Sequence, residues 1–154
     1  MKIEQGKYYI GIDPGKNGGI ATIHCGELMV YESMPPTIQD IWNKIRTYQG
    51  ENCVCIIEKV GGRPGQSASA SFTFGNNYGW LEMALTAAEI PFQHCTPQKW
   101  QKYYQLGKSS DCASKVEWKN KLKGCAQGLF PAAKITLKTA DAILIANYAY
   151  NTLR

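Results

Sequence analysis

The chain reads as an α/β domain built on one mixed five-stranded sheet, an antiparallel meander continued by parallel strands, with helices on its flanks. Three observations predict this. Near the N-terminus, short apolar runs follow one another with only turn residues between them, the pattern of a meander. A later run, Cys53–Glu58, is apolar at every position until its last, which marks a central strand buried on both faces in a parallel setting. The remaining segments repeat their apolar residues at helical spacing.

The first strand, starting at Tyr8, ends in a lone carboxylate, Asp13, before Pro14-Gly15 and Asn17-Gly18-Gly19 fold the chain back. An isolated charge at the mouth of a buried strand costs several kcal/mol, so a turn hydrogen bond, a counter-ion or a metal must hold it. Gly19–Cys25 and Leu28–Ser33 are read as a hairpin turning at Gly26-Glu27. Pro35-Pro36 stops the chain, and Thr37–Tyr48 carries Ile38, Ile41, Trp42, Ile45 and Tyr48 at helical spacing, with Thr37 as N-cap. If this helix crosses over from strand one to Cys53–Glu58, right-handed connection sets those strands side by side and parallel. Asp13 and Glu58 then leave the same sheet edge as neighbours.

Lys59–Ser71 is a small-residue loop with one arginine, Arg63, and Phe72–Glu89 is a helix with Gly75 and Gly79 one turn apart. Each glycine costs about 1 kcal/mol against alanine, which implies that another backbone approaches there. Pro91–Cys95 is a short last strand, Thr96-Pro97 opens a helix containing Trp100, and Ser114–Leu129 is a lysine-rich helix. Thr139-Ala140-Asp141 starts a final helix whose stripe Ile143, Leu144, Asn147 and Tyr148 packs on the sheet. Asp141 is thus a third lone acid, in a first turn where the helix dipole favours it.

With 154 residues and 44% hydrophobic content, one core and a single domain over 1–154 are expected. Lys2 and Glu4 precede the first strand, with no uninterrupted apolar segment, so neither signal peptide nor membrane span is expected, and the setting is cytoplasmic. The six cysteines lack paired CxxC spacing; Cys53 and Cys55 form a lone CxC, and all are read as reduced thiols. The net charge of +5 is local: between Thr96 and Lys138 there are nine lysines against Asp111 and Glu117. Such a patch suits a polyanion, though lysine runs also form plain solvated helix faces.

Carboxylates held close together repel one another, and hard divalent cations with oxygen ligands are the usual reason for the arrangement. Two such ions about 4 Å apart activate a water and stabilise the leaving oxygen of a phosphodiester. Residues alone therefore point to metal-dependent phosphodiester chemistry on nucleic acid.

IGIDPGKNGGIA, CIIEKV, FGNNYGWLEMAL followed by IP and TPQKWQK, and LFP with ADAILIANYA, in that order and spacing, resemble the RuvC family of Holliday junction resolvases, in particular its phage-type members, within the RNase H-like superfamily. The resemblance spans nearly the whole chain. It implies that Asp13, Glu58 and Asp141 ligate magnesium, two ions in all with manganese as a substitute. It also implies a homodimer packed through Phe72–Glu89 that nicks two symmetric strands of a four-way DNA junction, in a bacterial or phage-infected cell. Lys102 and Lys115 fall near the family's phosphate-binding lysines, with Lys99, Lys138 and Arg63 as further DNA contacts.

Two departures stand out. Lys138 occupies the position, three residues before Asp141, where family members often carry a fourth acid or a histidine, and a cation cannot ligate magnesium in its charged state. The loop after Glu58 reads Gly-Gly-Arg-Pro-Gly where cellular resolvases place an aromatic that enters the junction, which leaves Arg63 and Phe72 as substitutes. Rival readings are a related nuclease acting on RNA or flap DNA, of the YqgF sort, and a junction-binding protein weakened in catalysis through Lys138. A third, an actin-like or sugar-kinase ATPase suggested by GIDPGKNGG, lacks a second Gly-rich phosphate motif.

Overall fold

The computed structural model describes residues 6–154, so the expectation drawn from Lys2 and Glu4 lies outside the described residues. The elements are β1 (Tyr8–Asp13), β2 (Gly19–His24), β3 (Glu27–Ser33), α1 (Ile38–Ile45), β4 (Cys53–Glu58), α2 (Ala68–Ala87), β5 (Phe92–Cys95), α3 (Pro97–Tyr103), α4 (Lys115–Leu129) and α5 (Ala140–Thr152). Sheet order is β3-β2-β1-β4-β5. The first three strands pair antiparallel, while β4 runs parallel to both β1 and β5. The mixed sheet of a meander plus parallel strands is therefore as the sequence predicts.

Alternation along the strands divides the core in two. Ile10, Ile12, Cys53, Cys55 and Ile57 face α1 and α2, packing with Ile41, Ile45, Leu81 and Leu85. Tyr9 and Ile56 face the other way, among Trp100, Trp118, Leu122 and the residues of α5. By the same period of two, Asp13 follows Tyr9 and Gly11, and Glu58 follows Ile56, so both acids belong to the α5 face. Gly11 permits this packing: a β-carbon there would overlap the backbone of Ala142 and Ala146, so α5 lies against β1 closer than any side chain allows.

Helix starts follow their caps. Thr37 accepts a hydrogen bond from the Asp40 N–H at 3.1 Å, and Ser114 accepts one from the Glu117 N–H at 3.1 Å. Three expectations need correction. The β2–β3 turn is Cys25-Gly26, one residue earlier than read, because both residues take positive φ (51° and 83°), as a two-residue hairpin turn requires. The helix expected from Phe72 begins at Ala68: Ser67 caps it by accepting from the Ala70 N–H at 3.1 Å, and the alanines that follow are strong helix formers. Finally, α5 presents no single stripe. Ala140 through Ala146, Tyr148 and Ala149 are all buried, because α4 covers the side that the sheet does not.

All six cysteines are free thiols. Among the described residues, no helix is long and apolar enough to cross a membrane.

Candidate active site

Three elements deliver the acids. Asp13 is the last residue of β1 and Glu58 the last of β4, one rung beyond the final register pair Ile12–Ile57. Asp141 is the second residue of α5, buried at 2% exposure. The turn after Asp13 is pinned at a distance: the Gly15 N–H donates to Asn77 Oδ1 of α2 at 2.7 Å, and the Gly18 N–H closes the turn on the Gly15 carbonyl at 2.9 Å. Behind Glu58, the Lys59 N–H donates to the Cys95 carbonyl at 2.8 Å, holding the strand end against β5.

The acids feel one another. Burial raises the Asp13 pKa well above the usual carboxylate value, and the charges of Asp141 and then Glu58 raise it further. Burial likewise pushes Glu58 up to about 7, against the lowering effect of a hydrogen bond from Trp100 and with Asp141 adding repulsion. The Trp100 indole N–H donates to Glu58 Oε2 at 2.7 Å. Arg63, exposed in the loop after β4, is close enough for its charge to lower both Asp13 and Glu58.

A cation already answers this charge. Lys119 Nζ of α4 forms an ion pair with Asp141 Oδ2. Burial works against the Lys119 ammonium, yet the charge and hydrogen bond of Asp141, helped by Asp13 and Glu58, lift its pKa above the ordinary 10.5. The other oxygen, Asp141 Oδ1, is buried with no hydrogen-bond partner among the described residues. A buried carboxylate oxygen left without a donor is costly, and the usual remedies are a water or an ion.

Among the described residues, no three His, Cys, Asp or Glu side chains are drawn into a metal-ligand cluster. The donors nevertheless suit a hard divalent cation: all are carboxylate oxygens, one of them is orphaned, and a lysine supplies the positive charge that such an ion would bring.

Of the predicted site residues, Asp13, Glu58 and Asp141 lie near enough for the charge of each to act on its neighbours, and the Arg63 charge reaches Asp13 and Glu58. Lys99 and Lys102 are exposed on α3, Lys115 is exposed one turn before Lys119 on α4, and Lys138 is exposed just ahead of α5. Lys138 contributes its backbone to the architecture: a β-carbon on Gly19 would lie 2.8 Å from the Lys138 carbonyl, so this segment rides over the start of β2. Sequence reasoning missed Lys119, Trp100 and Asn77. For Lys119 a faint signal exists, a four-residue spacing from Lys115 that puts both on one face of α4.

Gly75 and Gly79 are exposed, and among the described residues a β-carbon at either would meet nothing within 4 Å. The backbone expected to approach them does not come from the described residues of this chain. Phe72, 71% exposed, and Met83, 61% exposed, lie along the same face of α2.

No family model and no curated protein sequence matches the chain. Solved structures do. RuvC of Thermus thermophilus in complex with a Holliday junction substrate is 16% identical, with 93% of this chain and 92% of that chain covered at a TM-score of 0.64. A second Thermus thermophilus RuvC structure, also 16% identical, covers 94% of this chain and 95% of its own at a TM-score of 0.60. Over nearly its full length, then, the chain has the RuvC fold, an RNase H-like mixed five-stranded sheet flanked by helices.

Proposed function

We propose that the chain is a divalent-metal-dependent endonuclease that cuts four-way DNA junctions, a phage-type member of the RuvC family acting as a homodimer. The observation that carries this reading is the convergence of Asp13, Glu58 and Asp141 on one face at one end of the sheet, with Asp141 Oδ1 buried and unpartnered. That a RuvC structure of the same fold is held on a Holliday junction substrate supports the choice of DNA.

Asp13, Glu58 and Asp141 would hold magnesium, or manganese in its place, two ions being the usual number for phosphodiester hydrolysis. Ions so held supply Lewis-acid activation of a water and charge neutralisation at the leaving oxygen. The chain's own residues do the rest. Lys119, whose side chain is 47% exposed, presents an ammonium beside the acids where a non-bridging phosphate oxygen would arrive. Arg63 offers a second cation on the loop side. Lys99 and Lys102 on α3, Lys115 on α4 and Lys138 before α5 supply backbone contacts that fix the DNA without reading its sequence. The bare face of α2 at Phe72, Gly75, Gly79 and Met83 is where a second copy would pack, holding two sites at the separation that paired nicks need.

The test is cleavage of a four-way junction, a flap, a duplex and an RNA–DNA hybrid in magnesium. Junction nicking is expected, with Asp13→Asn, Glu58→Gln and Asp141→Asn each abolishing turnover while leaving junction binding nearly intact. Preference for the flap or the hybrid would shift the assignment to a related nuclease. Binding without cleavage would leave only a junction-binding protein.

A further inference from the structure

Trp100 is fully buried, and apolar packing would account for its ring. It does not account for where the polar atom points. The indole N–H is aimed at an acid of the candidate metal site, donating to Glu58 Oε2 at 2.7 Å, and among the described residues this is the hydrogen bond that the Glu58 side chain receives. An indole can only donate, and a charged carboxylate is its strongest acceptor, so the pairing has one sense and one geometry.

The chain builds this contact deliberately. Glu58 stands opposite Cys95 in the β4–β5 register, and α3 starts two residues later with Thr96 as cap and Pro97 in its first turn. Position 100 therefore falls one turn into α3, over the last rung of β4. The ring is braced in turn. Trp100 meets Tyr104 edge to face, with centroids 6.4 Å apart, and the Tyr104 hydroxyl donates to the Leu144 carbonyl at 2.5 Å and to Asn147 Oδ1 at 3.0 Å. Leu144 and Asn147 belong to α5, the helix that carries Asp141. One run of contacts thus joins the carboxylate at the end of β4 to the helix bearing the third acid.

We propose that Trp100 is a positioning residue, whose indole N–H fixes the Glu58 carboxylate in the orientation that lets it share a divalent cation with Asp13 and Asp141. This rests on the metal-dependent reading above. Partners that orient a ligand from behind typically change metal affinity about 10- to 100-fold when removed, whereas a residue that only fills space changes stability and leaves affinity alone.

The experiment measures manganese binding by calorimetry and by electron paramagnetic resonance on the full chain. It compares the parent with Trp100→Phe and with a chain carrying benzothienylalanine at position 100, which keeps the ring's shape and lacks the N–H. Manganese affinity is expected to fall about 10- to 100-fold in both, with the folded state of the benzothienylalanine chain retained by circular dichroism. Should Trp100→Phe fail to fold, the near-isosteric ring carries the comparison alone. Manganese affinity within twofold of the parent in the folded benzothienylalanine chain overturns the proposal and leaves the metal site standing. A parent that binds no manganese, or Asp141→Asn binding it as well as the parent, removes the metal site itself and this proposal with it.

Discussion

Raising the pH without divalent ions should destabilise this protein. Glu58 has a folded-state pKa of about 7 against an ordinary 4.5, and Asp13 is raised in the same sense, so between these limits the folded chain binds more protons than the unfolded one. Stability linked to Glu58 is then fully present below 4.5 and lost as pH rises through 7. At about 1.4 kcal/mol per pH unit, that gap corresponds to about 3 kcal/mol for Glu58 alone. Lys119 does not offset it, since a raised lysine pKa contributes stability that is constant well below 10.5. Urea unfolding followed by circular dichroism in a chelator, at pH 4.5, 6 and 8, should show this decline. Glu58→Gln, which cannot ionise, should make it shallower and leave the part linked to Asp13, and magnesium should restore stability at pH 8. Stability that is level or rises from pH 4.5 to 8 in chelator would refute the claim that these carboxylates are crowded and dry.

Lys102→Ala and Lys115→Ala should each make the log–log salt dependence of junction binding shallower by about one contact, measured by fluorescence anisotropy; two unchanged slopes would reduce these lysines to a solvated face. Gly79→Leu should give a folded monomer that cannot make paired cuts, because among the described residues no atom outside its own helix turn lies within 4 Å of its added β-carbon. Sedimentation of a folded, dimeric mutant would rule out α2 as the interface. Gly11→Ala should cost about 3 kcal/mol or more in urea unfolding, since the added methyl must separate α5 from β1; a loss under 1 kcal/mol would mean that this contact yields easily.

Asp13 and Glu58 were legible because each interrupts an apolar run at its end and because strand parity puts the two on one face. Asp141 was legible as a helix-start acid. Lys119 was hidden among nine lysines of similar local pattern, and choosing it needs the crossing of α4 over the first turn of α5, a tertiary fact. Trp100 counts in the sequence only as a large ring in α3, because periodicity registers the ring and is blind to the direction of one N–H. The start of α2 was missed since Ser67, Ser69 and Ser71 all offer caps, and only packing decides among them. The all-round burial of α5 was likewise beyond a stripe analysis, which sees one neighbour per helix where α5 has a sheet on one side and a helix on the other.

Asn77 has a consequence for where order at the site originates. Its amide oxygen reaches across sixty-two positions of chain to hold the Gly15 N–H, so the backbone beside Asp13 is moored to the inner face of α2. On the outer face of that helix, none of the described residues lies over Gly75 and Gly79. Any body that settled there would still the helix, and through one amide the acid's own turn would be stilled with it. Pairing of two copies across that face and rigidity at the site would then be a single event, carried by one buried hydrogen bond.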